Sequence, residues 1–201
     1  MVRRRPNTPV TVLAIDTSAR RRSVCVTASV DGSLERADVR VDTAVDIALP
    51  QAIAALPLAD IDSVVVVIGP GSYTGVRAGM AAGLGIAHAR SLPLYGASAL
   101  EVVAAGAVIT GASDGVVLTD AGRGGVYLSH FSRRPALHTD SAVRVARTEL
   151  HLDGASAYSV DAMDVTGLQH MDPAVSLAAV VPVARGREGL ARHDLQAIYI
   201  E

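Results

Sequence analysis

Apolar residues fall in short blocks along the chain, and the period of each block predicts an element. Val10 to Ile15 is an apolar run that ends at Asp16-Thr17-Ser18. Ser23 to Val30 is rich in β-formers, Asp31-Gly32 is a hairpin signal, and Leu34 to Val41 supplies a third strand. The chain is therefore expected to open with three antiparallel strands. Ala44 to Leu56 then shows helical spacing through Ile47, Ala48, Gln51-Ala52 and Ala55-Leu56. Pro50 interrupts it. An interior proline costs about 3 kcal/mol, which leaves open a shorter helix with Pro50 in its first turn.

Ser63 to Gly69 is a continuous β-branched run, the mark of a strand buried on both faces. Tyr73 to Arg90 is the next helix, Pro93 to Ala97 a short strand and Ala99 to Ala105 a helix. The pattern then restarts. Gly115 to Thr119 ends in Asp120-Ala121-Gly122, and Gly125 to Phe131 and His138 to Val145 read as further strands. Residues 147–170 are weakly patterned, Ala174 to Val181 reads as a helix up to Pro182, and 185–195 reads as loop. Ala197 to Ile200 is expected as a terminal strand or a docked tail. Two hairpin openings, each ending its first strand on an Asp, predict a duplicated α/β fold with a reduced second half. The expected division is a tail at 1–9, a first half at 10–105 and a smaller second half at 106–201.

Composition narrows the function. Of the 201 residues 50% are hydrophobic and 19% charged, enough to build a core and too apolar for disorder. Aromatics are 3%, so that core is aliphatic. The net charge of −2 excludes an autonomous nucleic-acid binder. All 18 basic residues are Arg. Without lysine there is no Schiff base and no Walker-type phosphate loop. The clusters Arg3-Arg4-Arg5, Arg20-Arg21-Arg22 and Arg133-Arg134 are expected as solvated turns and a terminus. Cys25 is expected as a small core residue. No apolar run approaches the roughly 18–20 residues of a membrane helix, and no signal-peptide pattern opens the chain, so the expected location is the cytoplasm.

The densest cluster of special residues is Gly69-Pro70-Gly71-Ser72-Tyr73-Thr74-Gly75-Val76-Arg77. It lacks the glycine spacing of the dinucleotide fingerprint and follows the wrong strand for it. A helix start with Ser72 or Thr74 as cap could still hold an anion; a tight structural turn is the alternative. Beyond it Gly75, Gly79 and Gly83 stand four apart, with Ala78, Ala82 and Ala81, Gly85, Ala89 in neighbouring rows. Each interior glycine costs about 1 kcal/mol against alanine, so close packing must repay it. The neighbour is the chain's own sheet, another of its helices or a partner's helix, and packing inside the chain is the ordinary case.

Asp16-Thr17-Ser18 and Asp120-Ala121-Gly122 resemble the paired phosphate loops of the actin, sugar-kinase and Hsp70 superfamily, which face each other across a cleft and hold a nucleotide with its metal. Asp at a strand end is also common in ordinary turns. Of the histidines His88, His130, His138, His151, His170 and His193, none lies four residues from another, and no metal site is expected. Gly96-Ala97-Ser98-Ala99-Leu100 lacks the final glycine of a nucleophile elbow.

Four segments together resemble the TsaB (YeaZ) family in order and spacing: Leu13 to Ser18, Gly69 to Arg77, Pro93 to Leu100 and Asp120 to Tyr127. The glycine segment matches that family's G-P-G-S-[FY]-T-G-[LV]-R pattern throughout. The resemblance implies an actin-like fold and a non-catalytic scaffold in the making of N6-threonylcarbamoyladenosine at tRNA position 37. It implies a TsaD-type catalytic partner, a TsaE-type ATPase, a homodimer in isolation, and contact with tRNA only through the complex. With such a partner, Val76, Gly79, Met80, Gly83 and Leu84, together with Ala48 and Ala52 of the preceding helix, form the expected interface. TsaD-type proteins carry a His-x-x-x-His metal pair after the short strand; Ala99 and Val103 fall at those positions here. The resemblance makes Asp16, Thr17, Ser18, Asp120 and Gly122 a vestigial nucleotide site. No cofactor is required, and ATP or ADP with Mg²⁺ would lie at a shared interface. The chain departs from the family at Ala44-Val45-Asp46, at Gly122-Arg123-Gly124-Gly125 and at its C-terminus, and Arg20-Arg21-Arg22, where relatives are less basic, could supply positive charge towards tRNA or a nucleotide. The competing expectation is an actin-like ATPase or phosphotransfer enzyme using Asp16 and Asp120 around Mg²⁺. A peptidase is disfavoured for want of ligands or a nucleophile dyad.

Overall fold

A computed structural model describes residues 10–189 and 195–200. The expected tail at 1–9, His193 and the final Glu201 lie outside the described residues.

The first half is built on β1 (Thr11–Asp16), β2 (Arg22–Ser29), β3 (Leu34–Val41), β4 (Ile61–Val67) and β5 (Leu94–Ala97). They form one sheet in the order β3-β2-β1-β4-β5. The first three strands are the expected antiparallel meander, with Ile15 opposite Cys25, and β4 and β5 run parallel to β1. The hairpin at Asp31-Gly32 is closed by the Asp31 carboxylate, which accepts the Ser33 N–H at 3.0 Å. Gly32 there has φ +90°, which suits glycine.

Alternation along β1 sends its side chains to two separate cores. Val12 and Ala14 join Val24, Val65 and Leu177 on one face. Leu13 and Ile15 join Leu49, Val64 and Val66 on the other. That second face is covered by α1 (Val45–Ala54) and α2 (Tyr73–Arg90). Pro50 lies inside α1, on its exposed side, while Ala48, Leu49 and Ala52 are buried. Burial of the opposite face outweighs the proline, so the helix runs through it instead of starting at it.

The other face is covered by α3 (Ala99–Ile109), α4 (Pro173–Ala179) and α5 (Val181–Arg185). A capping box starts α3: Ser98 Oγ accepts from Leu100 N–H, and Glu101 reaches back to Ser98 N–H at 2.8 Å. The expected boundary between residues 105 and 106 therefore falls inside a helix. Pro182 opens α5 where it was expected to end a helix.

The second half repeats the first strand for strand. β6 (Asp114–Gly122), β7 (Gly125–Ser132), β8 (His138–Thr139), β10 (Ala157–Ser159) and β11 (Leu168–His170) give the order β11-β10-β6-β7-β8. β9 (Val143–Ala146) also pairs with β7, so the single strand expected over His138 to Val145 is broken in two. β10 and β11 run parallel to β6 as β4 and β5 do to β1. The crossovers that carry α1 and α2 in the first half hold only irregular chain and a 3-10 turn at Arg147–Glu149 in the second. One face of this sheet packs on α3 through Leu100, Val103 and Ala104. The other is closed by loop residues such as Met163 and Leu150. The expected duplicated actin-like α/β fold with a reduced second half is present. No helix among the described residues is long and apolar enough to cross a membrane.

Candidate functional site

The glycine turn joins the end of β4 to the start of α2, and its polar backbone is engaged by the rest of the chain. Ser72 N–H donates to Ser18 O at 2.6 Å, Ala99 N–H to Gly69 O at 2.8 Å, and Ile198 N–H to Ile68 O at 2.7 Å. Gly69 has φ +102°, and a Cβ there would lie 2.7 Å from Ile198 O. A Cβ on Gly71 or Gly75 would run into the carbonyls of Ser18 and Thr17. Thr17 Oγ1 donates to Gly75 O at 2.6 Å. The glycines thus let the Asp16-Thr17-Ser18 loop lie directly on the first turn of α2. Ser72 is the N-cap, accepting Gly75 N–H at 3.3 Å, and Thr74 is exposed. Arg77 stands over the Tyr73 ring at 3.8 Å, and its Nε–H donates to Tyr199 Oη at 3.1 Å. The C-terminal residues are the docked tail that the sequence left as one of two options.

The structure links the two Asp loops through Arg22 and Asp161, beneath a cleft between them. Asp16 is 3% exposed, and its Oδ1 accepts both Ser18 N–H at 2.8 Å and Ser18 Oγ–H at 2.6 Å. Its Oδ2 lies 3.5 Å from Arg22 Nη2. The same guanidinium donates from Nη1 to Asp161 Oδ1 at 2.6 Å and to Val160 O at 2.8 Å. Asp161 Oδ2 accepts Asp120 N–H at 2.8 Å. Asp120 Oδ1 accepts Gly122 N–H at 3.1 Å and Arg147 Nη2–H at 3.2 Å. Burial pulls the Arg22 pKa down, but Asp16 and Asp161 outweigh it by charge and hydrogen bonding, and the net shift is upward. The mouth of the cleft, about 780 Å³, is lined by Arg20, Arg21, Arg123 and Arg144 beside Ser72 and Asp120. Arg21 pairs with Asp42 at 2.7 Å.

Asp161 was not expected from the sequence as a site residue, and Arg22 was expected only within the Arg20-Arg21-Arg22 cluster, as a solvated turn or as positive charge towards tRNA or a nucleotide; its side chain is instead 12% exposed, between two carboxylates. Arg22 and Asp161 stand 139 positions apart, and no local pattern connects them. A Mg²⁺–nucleotide, which an actin-like cleft brings to mind, does not fit these carboxylates as they stand. Arg22 sits between Asp16 and Asp161, and Arg147 holds Asp120. Among the described residues no group of three or more His, Cys, Asp or Glu could hold a metal ion. Ala99 and Val103 are aliphatic core residues of α3, 2% and 0% exposed.

The expected partner interface needs correction. Val76, Gly79 and Gly83 are buried within the chain, as are Ala48 and Ala52. A Cβ on Gly79 would strike Thr17 Oγ1, and one on Gly83 would strike Val66 Cγ1. The glycine row therefore packs on β1 and β4 of the same molecule. Met80 and Leu84 are half-buried against the same core. The outward side of α2 carries Ala81, Gly85 and His88, which with Leu84 edge an open depression of about 370 Å³. A Cβ on Gly85 would meet nothing within 4 Å among the described residues. Ile47 of the neighbouring α1 is 52% exposed. The Ala81, Gly85, Ala89 row was visible in the sequence; its period could not tell it from the buried row.

Residues 34–149, more than half of the chain, match the family model described as TsaD, tRNA N6-adenosine threonylcarbamoyltransferase. An uncharacterised protein of Mycobacterium tuberculosis is 42% identical over 78 residues, 39% of this chain and 35% of its own length. One of Mycobacterium leprae is 35% identical over 133 residues, 60% of this chain and again 35% of its own length. The chain thus matches about a third of the length of these curated relatives. Among solved structures, YeaZ from Pseudomonas aeruginosa superposes with a TM-score of 0.70 at 22% identity, over 95% of this chain and all of that one. At that identity the likeness speaks for the fold. The chain belongs to the TsaD family of tRNA N6-adenosine threonylcarbamoyltransferase proteins, and its fold is that of YeaZ (TsaB).

Proposed function

We propose that the protein acts in the making of N6-threonylcarbamoyladenosine at tRNA position 37, as a non-catalytic subunit that binds and supports a TsaD-type transferase. The observation that carries this is the pairing of family and site. The chain has the family's match and YeaZ's fold, while the positions of the TsaD-type metal pair hold buried Ala99 and Val103. Its contribution is then association.

The surface for that association is the outer side of α2 around Ala81, Leu84 and Gly85, with Ile47 of α1. Small exposed residues let another helix approach closely, and Gly85 has no packing duty inside its own chain. In isolation two copies pair through this surface, and the TsaD-type subunit replaces one of them. A TsaE-type ATPase joins the pair, and tRNA meets the complex rather than this chain alone. The chain requires no cofactor of its own; ATP or ADP with Mg²⁺ belongs to the interface with the catalytic subunit. The place of action is the cytoplasm. The rival, an ATPase or phosphotransfer enzyme built on Asp16 and Asp120, is disfavoured by the arginines that already engage both carboxylates.

The test is a pull-down of the tagged chain from its native cell, with tRNA nucleosides measured after its depletion. A TsaD-type protein should co-purify, and N6-threonylcarbamoyladenosine should fall. Depletion that leaves the modified nucleoside at its normal level would end the proposal.

A further inference from the structure

The charged groups between the two Asp loops form a continuous chain: Asp16, Arg22, Asp161, the backbone N–H of Asp120, and Arg147 on the Asp120 carboxylate. It crosses from one half of the molecule to the other. Arg22 is the first residue of β2, and Asp161 follows β10. The Asp161 backbone N–H is in turn held by Ser159 Oγ at 3.0 Å.

We propose that the Arg22 guanidinium stands where a cleft of this architecture would hold a divalent cation, so that a tethered side chain, and not a metal–nucleotide complex, joins the two halves. Three observations carry this. The guanidinium lies between carboxylates contributed by the two halves, 3.5 Å from Asp16 and 2.6 Å from Asp161. All three side chains are sheltered, at 12%, 4% and 10% exposure, where salt screens them little. Further acceptors of these carboxylates are engaged: Asp16 Oδ1 by Ser18, Asp161 Oδ2 by Asp120 N–H, and Asp120 Oδ1 by Gly122 N–H and Arg147.

The exchange has physical consequences. A guanidinium keeps its charge at any pH the protein survives, so this cation cannot be released by titration. It is covalently attached, so a chelator cannot remove it. A dication brought to the same carboxylates would meet a fixed positive charge at close range. Two buried donors, Arg22 Nε–H and Arg147 Nε–H, find no partner among the described residues, so the clasp does not satisfy every group it buries. The inference is independent of the scaffold assignment, since a chain that bound no transferase would still carry the clasp.

The test uses the purified full chain, thermal unfolding and Mn²⁺ electron paramagnetic resonance. The wild-type protein should melt at the same temperature in EDTA, in Mg²⁺ and in Mg²⁺ with ATP, and should bind no Mn²⁺. Removing one partner of a buried pair strands the other charges, so Arg22→Ala should lower Tm by roughly 10 °C. It should also gain Mn²⁺ binding, and Mg²⁺ should recover part of the lost Tm; adding Asp16→Asn should abolish both responses. If Arg22→Ala does not fold, Arg22→Gln, which keeps the bulk and loses the charge, takes its place. Mn²⁺ binding by the wild type that disappears in Asp16→Asn would overturn the proposal. So would an Arg22 variant that shows no response to cations. Binding to a TsaD-type subunit is not read in this experiment, so the two proposals fail separately.

Discussion

Cys25 lies fully buried on β2 opposite Ile15, with the carboxylates of Asp38 and Asp16 nearby. Burial above all, then the charges of Asp38 and Asp16, pushes its thiol from an ordinary 9.0 up to about 12. The thiolate is the reactive form, so Cys25 should resist thiol reagents at pH 8 until the protein is unfolded. Labelling in native buffer at the rate of the denatured chain would contradict this placement. The same shift has a sign for stability. Above the ordinary thiol value the unfolded chain loses its proton and the folded one keeps it. Stability should therefore fall as pH rises from about 9 towards 12, at about 1.4 kcal/mol per pH unit from this group. Urea melts at pH 8 and pH 10 measure the slope, and Cys25→Ala should lack this share of it. The burial of Cys25 was legible in the sequence from its apolar run. So were Asp16 and Asp120, because each ends an apolar strand before small residues. Arg22 and Asp161 were not, because only the folded chain brings β2 and β10 to the same cleft.

Helix α2 shows where a periodic pattern stops being informative. Gly75, Gly79 and Gly83 share one stripe and Ala81, Gly85 and Ala89 another, and both are rows of small residues. The sequence shows that a close neighbour exists; it does not show which row faces the sheet. The Thr17 side chain and Val66 decide this by occupying the space beside Gly79 and Gly83. Two substitutions separate the rows by sign. Gly83→Ala must push into Val66, and overpacking of that kind costs about 1–3 kcal/mol. Gly85→Ala meets nothing and should stabilise the helix by up to about 1 kcal/mol. Denaturant melts of the two variants check both, and a stable Gly83→Ala would remove the reason given for that glycine. A charged Gly79→Glu would then disrupt the fold itself, so it is no test of partner binding. Helix α2 was readable from its run of small and apolar residues, and β4 from its continuous apolar run. β10 and β11 were not: at three residues each they are too short to show a period, and they form by pairing with β6 and with each other.

In the whole molecule the two sheets have matching strand orders, yet only the first carries helices α1 and α2 on its outer face. The duplication was visible as two hairpins each closed on an Asp. The loss of helices from the second half was visible only as weak patterning over residues 147–170. The asymmetry places this helical outer layer on the first half, and small residues such as Ala81 and Gly85 are exposed on it. This layer is the proposed contact with a TsaD-type subunit. The most direct measurement is the affinity of that subunit for purified Gly85→Glu, with Gly85→Ala as the neutral control and thermal unfolding to show that both are folded. A charge placed in the centre of a close helix contact should weaken binding by 100-fold or more, about 3 kcal/mol, while Gly85→Ala stays near wild type. A folded Gly85→Glu protein that binds the TsaD-type subunit as tightly as the wild type would rule out the outer face of α2 as the contact.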